Sequence, residues 1–155
     1  MKEPSIVHDT IVVKRTYRAT PARIFRAWSV KGEMGWLGPG DVRWDTKILE
    51  QDFRIGGRRR MTFAAPGDVG YAEDCEYVDI VPDRRICFSE TVKHGGVRIS
   101  VSMVTIEFNP KGANAEVIVT EQAAFLDGGD APAGRRQGWA GTFAKLDDLM
   151  GGTIQ

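Results

Sequence analysis

Apolar and polar residues alternate from Ile11 to Ala19, with Ile11, Val13 and Tyr17 on one side and Lys14, Thr16 and Arg18 on the other. A two-residue period of this kind predicts a half-buried strand. Thr20-Pro21 then supplies a helix N-cap followed by proline at the first helical position, and Ile24 and Trp28 repeat one turn apart beside Phe25. A short helix is expected from Pro21 to Val30. Segment 32–40 carries glycine at 32, 35, 38 and 40, and reads as one loose helical turn and a loop gathering Met34, Trp36 and Leu37.

Further strands are expected at Trp44–Phe53, Arg58–Ala64, Tyr71–Val81, Arg85–Lys93, Val97–Phe108 and Ala115–Ala124. Turn-forming residues join them: Ile55-Gly56-Gly57, Pro66-Gly67-Asp68, Pro82-Asp83, His94-Gly95-Gly96 and Asn109-Pro110-Lys111-Gly112. Links this short suit an antiparallel meander, because parallel neighbours need crossovers of about a dozen residues or more. After the loop at Asp127-Gly128-Gly129-Asp130, Trp139, Phe143, Leu146 and Met150 fall on one helical stripe that should face the sheet, leaving Lys145 and Asp148 in water; Gly151-Gly152 ends the helix. The class is therefore α+β, with a curved seven-stranded antiparallel sheet wrapped around a long C-terminal helix and two short helices after the first strand.

Composition removes several functions. The chain of 155 residues suits one domain spanning 1–155, with an ordered core over about 11–150. Acidic and basic side chains are equal in number, 21 of each, so no net field draws the protein to nucleic acid or to a membrane. The leader Met1-Lys2-Glu3-Pro4-Ser5 fits neither a signal peptide nor a membrane span, which makes the cytoplasm the expected location. Cys75 and Cys87 are expected to be small buried hydrophobes; a hairpin turn at Pro82-Asp83-Arg84 sets Cys87 opposite Asp79, out of bridging distance of Cys75. Zinc-type Cys…His spacing, Gly-x-Ser-x-Gly, a P-loop and His-Glu-x-x-His are all missing from the sequence, and His8 and His94 fall at expected surface positions. Neither a metal, a cofactor nor a histidine-based catalytic pair is expected.

Four stretches carry a family likeness: Ala19-Thr20-Pro21-Ala22 before Ile24-Phe25-Arg26-Ala27-Trp28; Trp36-Leu37-Gly38-Pro39; Asp52-Phe53-Arg54-Ile55-Gly56-Gly57; and a helix opening on Gly138-Trp139 and ending on Leu146-Asp147-Asp148-Leu149. In this order they resemble the activator-of-heat-shock-ATPase homology (Aha-type) family of the START-like, or birch-pollen-allergen-like, helix-grip superfamily (SRPBCC), over Ile11 to Met150. The run from Tyr77 to Phe88 is similar to the family's central hairpin, whereas Cys75 stands where members often carry glycine. The resemblance implies the helix-grip fold and a pocket between sheet and helix. It implies no single activity, since one fold hosts many functions.

The aromatic set Trp28, Trp36, Phe53, Phe63, Phe88, Trp139 and Phe143 forms either a solid core or a cavity wall. Arg59 shares a strand face with Met61 and Phe63, and Glu121 with Val117 and Val119, so each charge must find a partner or reach out to water. Alternation sends Arg58 and Arg60 to the opposite face. The expected function is non-catalytic or weakly catalytic binding of a small hydrophobic or aromatic molecule, with the aromatics and Met103 in apolar contact and Arg59, Tyr77 and Glu121 as orienting groups. Two alternatives belong to other classes. One is a protein-interaction module, such as a chaperone cofactor; the other is a cyclase- or dehydratase-like enzyme using Glu73 and Glu121 as acid and base. A homodimer and a chaperone partner both stay open.

Overall fold

Strand β1 (Ile6–Tyr17) follows the alternation in its sequence, with Ile11 and Tyr17 buried and Lys14 exposed, and it starts five residues earlier than expected. The structure is a computed structural model that describes residues 3–154; Met1 and Lys2 of the leader lie outside the described residues, as does Gln155. Helix α1 (Pro21–Ser29) opens on the cap read from the sequence: Thr20 Oγ1 accepts from the Arg23 N–H at 3.2 Å, and Pro21 takes the first position. The second short helix is a single 3-10 turn, Lys31–Glu33.

Six strands follow: β2 (Asp45–Gln51), β3 (Arg58–Ala64), β4 (Tyr71–Val81), β5 (Arg85–His94), β6 (Val97–Lys111) and β7 (Asn114–Leu126). They form one antiparallel sheet in the order β1-β7-β6-β5-β4-β3-β2. The first strand thus pairs with the last, from Ile6 opposite Leu126 to Tyr17 opposite Ala115. Because β1 and β2 occupy opposite edges, the α1 segment crosses one end of the sheet to connect them. Bulges at Ile48/Glu50, Tyr77/Asp79 and Val92/Lys93 bend individual strands and raise the local twist. The β6–β7 hairpin runs past its expected turn. It reverses at Gly112-Ala113, with Lys111 opposite Asn114, because Gly112 supplies the positive φ (61°) a tight hairpin needs; Pro110 stays within the strand.

Helix α2 (Pro132–Leu149) lies on the concave face, where Phe143 and Leu146 are fully buried and Trp139 and Met150 partly so. The Tyr17 hydroxyl donates to Asp147 Oδ1 at 2.6 Å and ties the helix to β1; burial, followed by Asp147, raises the pKa of that phenol. Lys145, expected in water, instead donates to the Gly38 carbonyl at 2.5 Å and anchors the loop before β2. Beneath α1 the core is solid. Phe25 meets Phe53 and Phe108 edge-on at 5.6 and 5.4 Å, and Phe53 meets Tyr77 at 5.0 Å. No helix among the described residues is long and apolar enough to cross a membrane.

Cys75 and Cys87 are unbridged. Cys87 faces Asp79 as expected, but the bulge after Tyr77 puts Cys75 opposite Glu90. Cys75 is buried; Cys87, against expectation, is only half-buried, with its Sγ 3.5 Å from Met103 Sδ.

Candidate functional site

Away from α1 the space between sheet and helix is not filled. A cavity of about 470 Å³ lies between the inward residues of β3–β7, the loop 37–40 and helix α2. Three glycines of α2, Gly134, Gly138 and Gly141, are on its wall. Glycine costs a helix interior about 1 kcal/mol relative to alanine, and here it leaves room. A Cβ at Gly141 would come within 3.1 Å of the Gly40 backbone nitrogen, so the helix and the loop approach each other through the missing side chain. Gly40 in turn lies under the Trp44 ring, which passes 2.3 Å from where its Cβ would be.

The outer wall is aromatic. Phe63 stacks on Tyr71 at 5.3 Å, Tyr71 on His94 at 4.1 Å, and Trp44 stands 6.4 Å from Tyr71. The floor is polar, and strand register explains why. Gln51 pairs with Arg59, Arg59 with Cys75, Cys75 with Glu90 and Glu90 with Ser102, so one cross-strand row carries five polar residues over β2 to β6, of which Arg59 and Glu90 line the cavity.

Two arginines organise this floor. Arg59, 3% exposed, bonds Glu73 Oε1 at 2.7 Å and Cys75 Sγ at 3.2 Å, and its guanidinium lies 4.9 Å over the Phe88 ring. Tyr77 reaches Arg59 at 3.5 Å and donates to Gln51 Oε1 at 3.0 Å. Arg135, from α2, bonds Glu121 Oε2, reaches Ser100 Oγ at 2.5 Å and Asp130 Oδ2 at 3.4 Å, and sits 5.3 Å from the Phe125 ring centre. Glu121 also accepts from Ser102 Oγ at 2.6 Å and Trp139 Nε1 at 2.7 Å. Truncating either arginine would leave a buried carboxylate uncompensated, a loss of roughly 3–5 kcal/mol.

Glu90 stands between these two systems. It is 8% exposed, and no hydrogen bond reaches its carboxyl among the described residues; the nearest cation is Arg135 Nη1 at 4.0 Å. Burial, then the neighbouring Glu73 and Glu121, push its pKa well above the ordinary carboxylate value. Burial likewise holds the Cys75 thiol well above its usual value, so it donates as S–H to Glu73 Oε1 at 3.2 Å. Glu73, Cys75 and Glu90 bring one donor atom each within 4.8 Å, the spacing of a metal site. The Arg59 guanidinium, however, already stands against Glu73 and Cys75 where a metal ion would have to stand. Arg59 Nε and Trp28 Nε1 are buried without a hydrogen-bond partner.

Of the residues selected from sequence, Trp28, Arg59, Phe63, Phe88, Glu121 and Trp139 line the cavity. Trp36, Phe53, Tyr77 and Phe143 do not: they belong to the solid core beside it. Met103 is a correction. It is 38% exposed on the outer face beside Cys87, because Ser102 and Val104 on either side take the inward positions of β6. The reading missed Glu90, Arg135, Trp44 and Tyr71. The alternation Ile86, Phe88, Glu90, Val92 could have placed Glu90 inside; nothing local marks Arg135, which precedes the apolar stripe of its helix.

Several solved structures share this architecture over almost their whole length. A protein from Rhizobium loti is 35% identical, with 93% of this chain and 98% of that one covered and a TM-score of 0.81. A putative uncharacterized protein from Rhizobium leguminosarum is 33% identical, with coverage of 97% and 99% and a TM-score of 0.87. A protein from Chromobacterium violaceum is 26% identical, with coverage of 91% and 96% and a TM-score of 0.79. No curated protein matches the chain. The family model described as "Activator of Hsp90 ATPase homolog 1-like protein" matches residues 18–151, from the residue after β1 to the residue after the α2 cap. With the sheet, the gripping helix and both rhizobial relatives agreeing over that span, the chain belongs to the Activator of Hsp90 ATPase homolog 1-like family and has its helix-grip fold.

Proposed function

We propose that this protein binds a small molecule with an apolar or aromatic body in the cavity between the concave sheet and α2, as a binding module and not a dedicated catalyst. The observation that carries this reading is the cavity itself. Its volume of about 470 Å³ lies within the range of small-molecule sites, and its walls are mainly aromatic and aliphatic with a few convergent polar groups. Glu73 and Glu121, the acid–base pair suggested by the sequence, are each held by an arginine. A carboxylate fixed in this way is poorly placed to exchange a proton with a substrate. The role named in the family's description is not carried over, since the cavity is what supports the present reading.

Titration calorimetry with naphthylmethanol tests the proposal. Val92 is 4% exposed and lines the cavity, so Val92→Phe should place its ring in open space, with little of the overpacking strain a filled core would impose. The wild-type protein should bind the probe saturably, one per chain. Val92→Phe should keep the wild-type circular dichroism and lose at least about tenfold in affinity, equivalent to about 1.4 kcal/mol. Equal binding by both proteins would place the probe elsewhere and defeat the reading.

A further inference from the structure

The cavity's charges do not balance, and this points to the kind of ligand it takes, on the reading of the cavity as a small-molecule site. Four carboxyl groups line it, Glu73, Glu90, Glu121 and Asp130, against the two guanidiniums of Arg59 and Arg135. Arg59 is committed to Glu73 at 2.7 Å, and Arg135 to Glu121 and, at 3.4 Å, Asp130. Glu90, nine-tenths buried and on the cavity wall, receives no hydrogen bond among the described residues, and its nearest cation is Arg135 Nη1 at 4.0 Å. Around the same space stand Trp28, Trp44, Phe63, Tyr71 and Phe88, and aromatic rings attract cations through their faces.

We propose that the ligand is an organic cation, a protonated amine or related base, whose charged nitrogen sits against the Glu90 carboxylate while its apolar or aromatic body lies along the Trp44–Phe63–Tyr71 wall. The groups facing Glu90 come from every neighbouring element: Arg59 from β3, Glu73 and Cys75 from β4, Ser102 from β6, Glu121 from β7 and Arg135 from α2. In the empty cavity these surroundings favour the neutral acid at Glu90. On binding, the Glu90 O–H bond breaks, its proton leaves to solvent, and the ligand's ammonium takes its place. The net charge of the site is unchanged. An anionic ligand meets no free cation in the lining, because both guanidiniums are engaged by carboxylates.

The test uses three probes of one shape, naphthylmethylamine, naphthylmethanol and naphthoate, by calorimetry at neutral pH on the wild-type protein and on Glu90→Gln, which copies the neutral acid. The wild-type protein should bind the amine at least about tenfold tighter than the alcohol, with naphthoate weakest. The amine's binding heat should vary with the ionisation heat of the buffer, reporting proton release, and the alcohol's should not. Glu90→Gln should lose both the amine preference and the proton release and keep the alcohol's affinity. An amine bound no tighter than the alcohol, or a preference that survives Glu90→Gln, would overturn the cation inference and leave the cavity reading standing; failure of all three probes to bind would overturn both.

Discussion

Among the described residues Glu90 has no hydrogen bond, in a cavity where Glu73, Glu121 and Asp130 each have one. Its folded pKa is raised by burial and then by Glu73 and Glu121, so the folded protein holds a proton that the unfolded chain releases near the ordinary value of 4.5. The sign follows from linkage. Stability from this group is fully present below the unfolded pKa and is lost as pH rises towards the folded pKa, at about 1.4 kcal/mol for each unit between the two. Glu90→Gln should therefore be more stable than the wild-type protein at pH values above the folded pKa, and should flatten the decline. Urea unfolding of both proteins across the pH range measures this, and parallel curves would contradict it. At this scale the sequence was partly legible. The alternation around Met61 and Val119 turned Arg59 and Glu121 inward, whereas their partners depended on register and on a long side chain from α2, which no local pattern contains.

The apolar stripe of α2 was readable as a helix, but its glycines were not readable as a cavity wall. Spaced at 134, 138 and 141, they share one side of the helix, and only the loop 38–40 facing them gives the spacing a meaning. The two inner glycines should respond differently to alanine. A Cβ at Gly138 meets only Pro39 Cβ, at an ordinary 3.6 Å, so Gly138→Ala should stabilise the protein by about 0.5–1 kcal/mol through helix propensity. At Gly141 the new methyl would lie 3.1 Å from the Gly40 nitrogen and push on a backbone that the Lys145–Gly38 contact restrains. Gly141→Ala should thus gain nothing or lose stability. Denaturant midpoints of the two variants decide this; equal gains would show that helix and loop are not in close contact. Strand positions were legible for a related reason. All six later strands begin within one residue of their expected starts because alternation and glycine-rich turns are local signals, whereas the β6–β7 turn was misplaced because proline looked like the stronger break than Gly112-Ala113.

Across the whole molecule, the pairing of β1 with β7 makes the sheet a frame whose two ends differ. Beneath α1, phenylalanine edges fill the interior; at the other end, glycine on α2 and a polar row on the sheet leave it open. A sequence pattern marks all these aromatics as interior, but filling depends on how far apart sheet and helix stand, which bulges and glycines set non-locally. The four tryptophans differ in their access to the cavity. Trp28, Trp44 and Trp139 line the cavity, and Trp36 lies outside it with its indole N–H donated to the Ala27 carbonyl at 3.0 Å. Indole N–H resonances recorded during a titration with naphthylmethanol therefore test the cavity reading most directly. The account predicts saturable shifts at Trp28, Trp44 and Trp139 with Trp36 unmoved; no saturable shift at the three cavity indoles, or a response confined to Trp36, would contradict it.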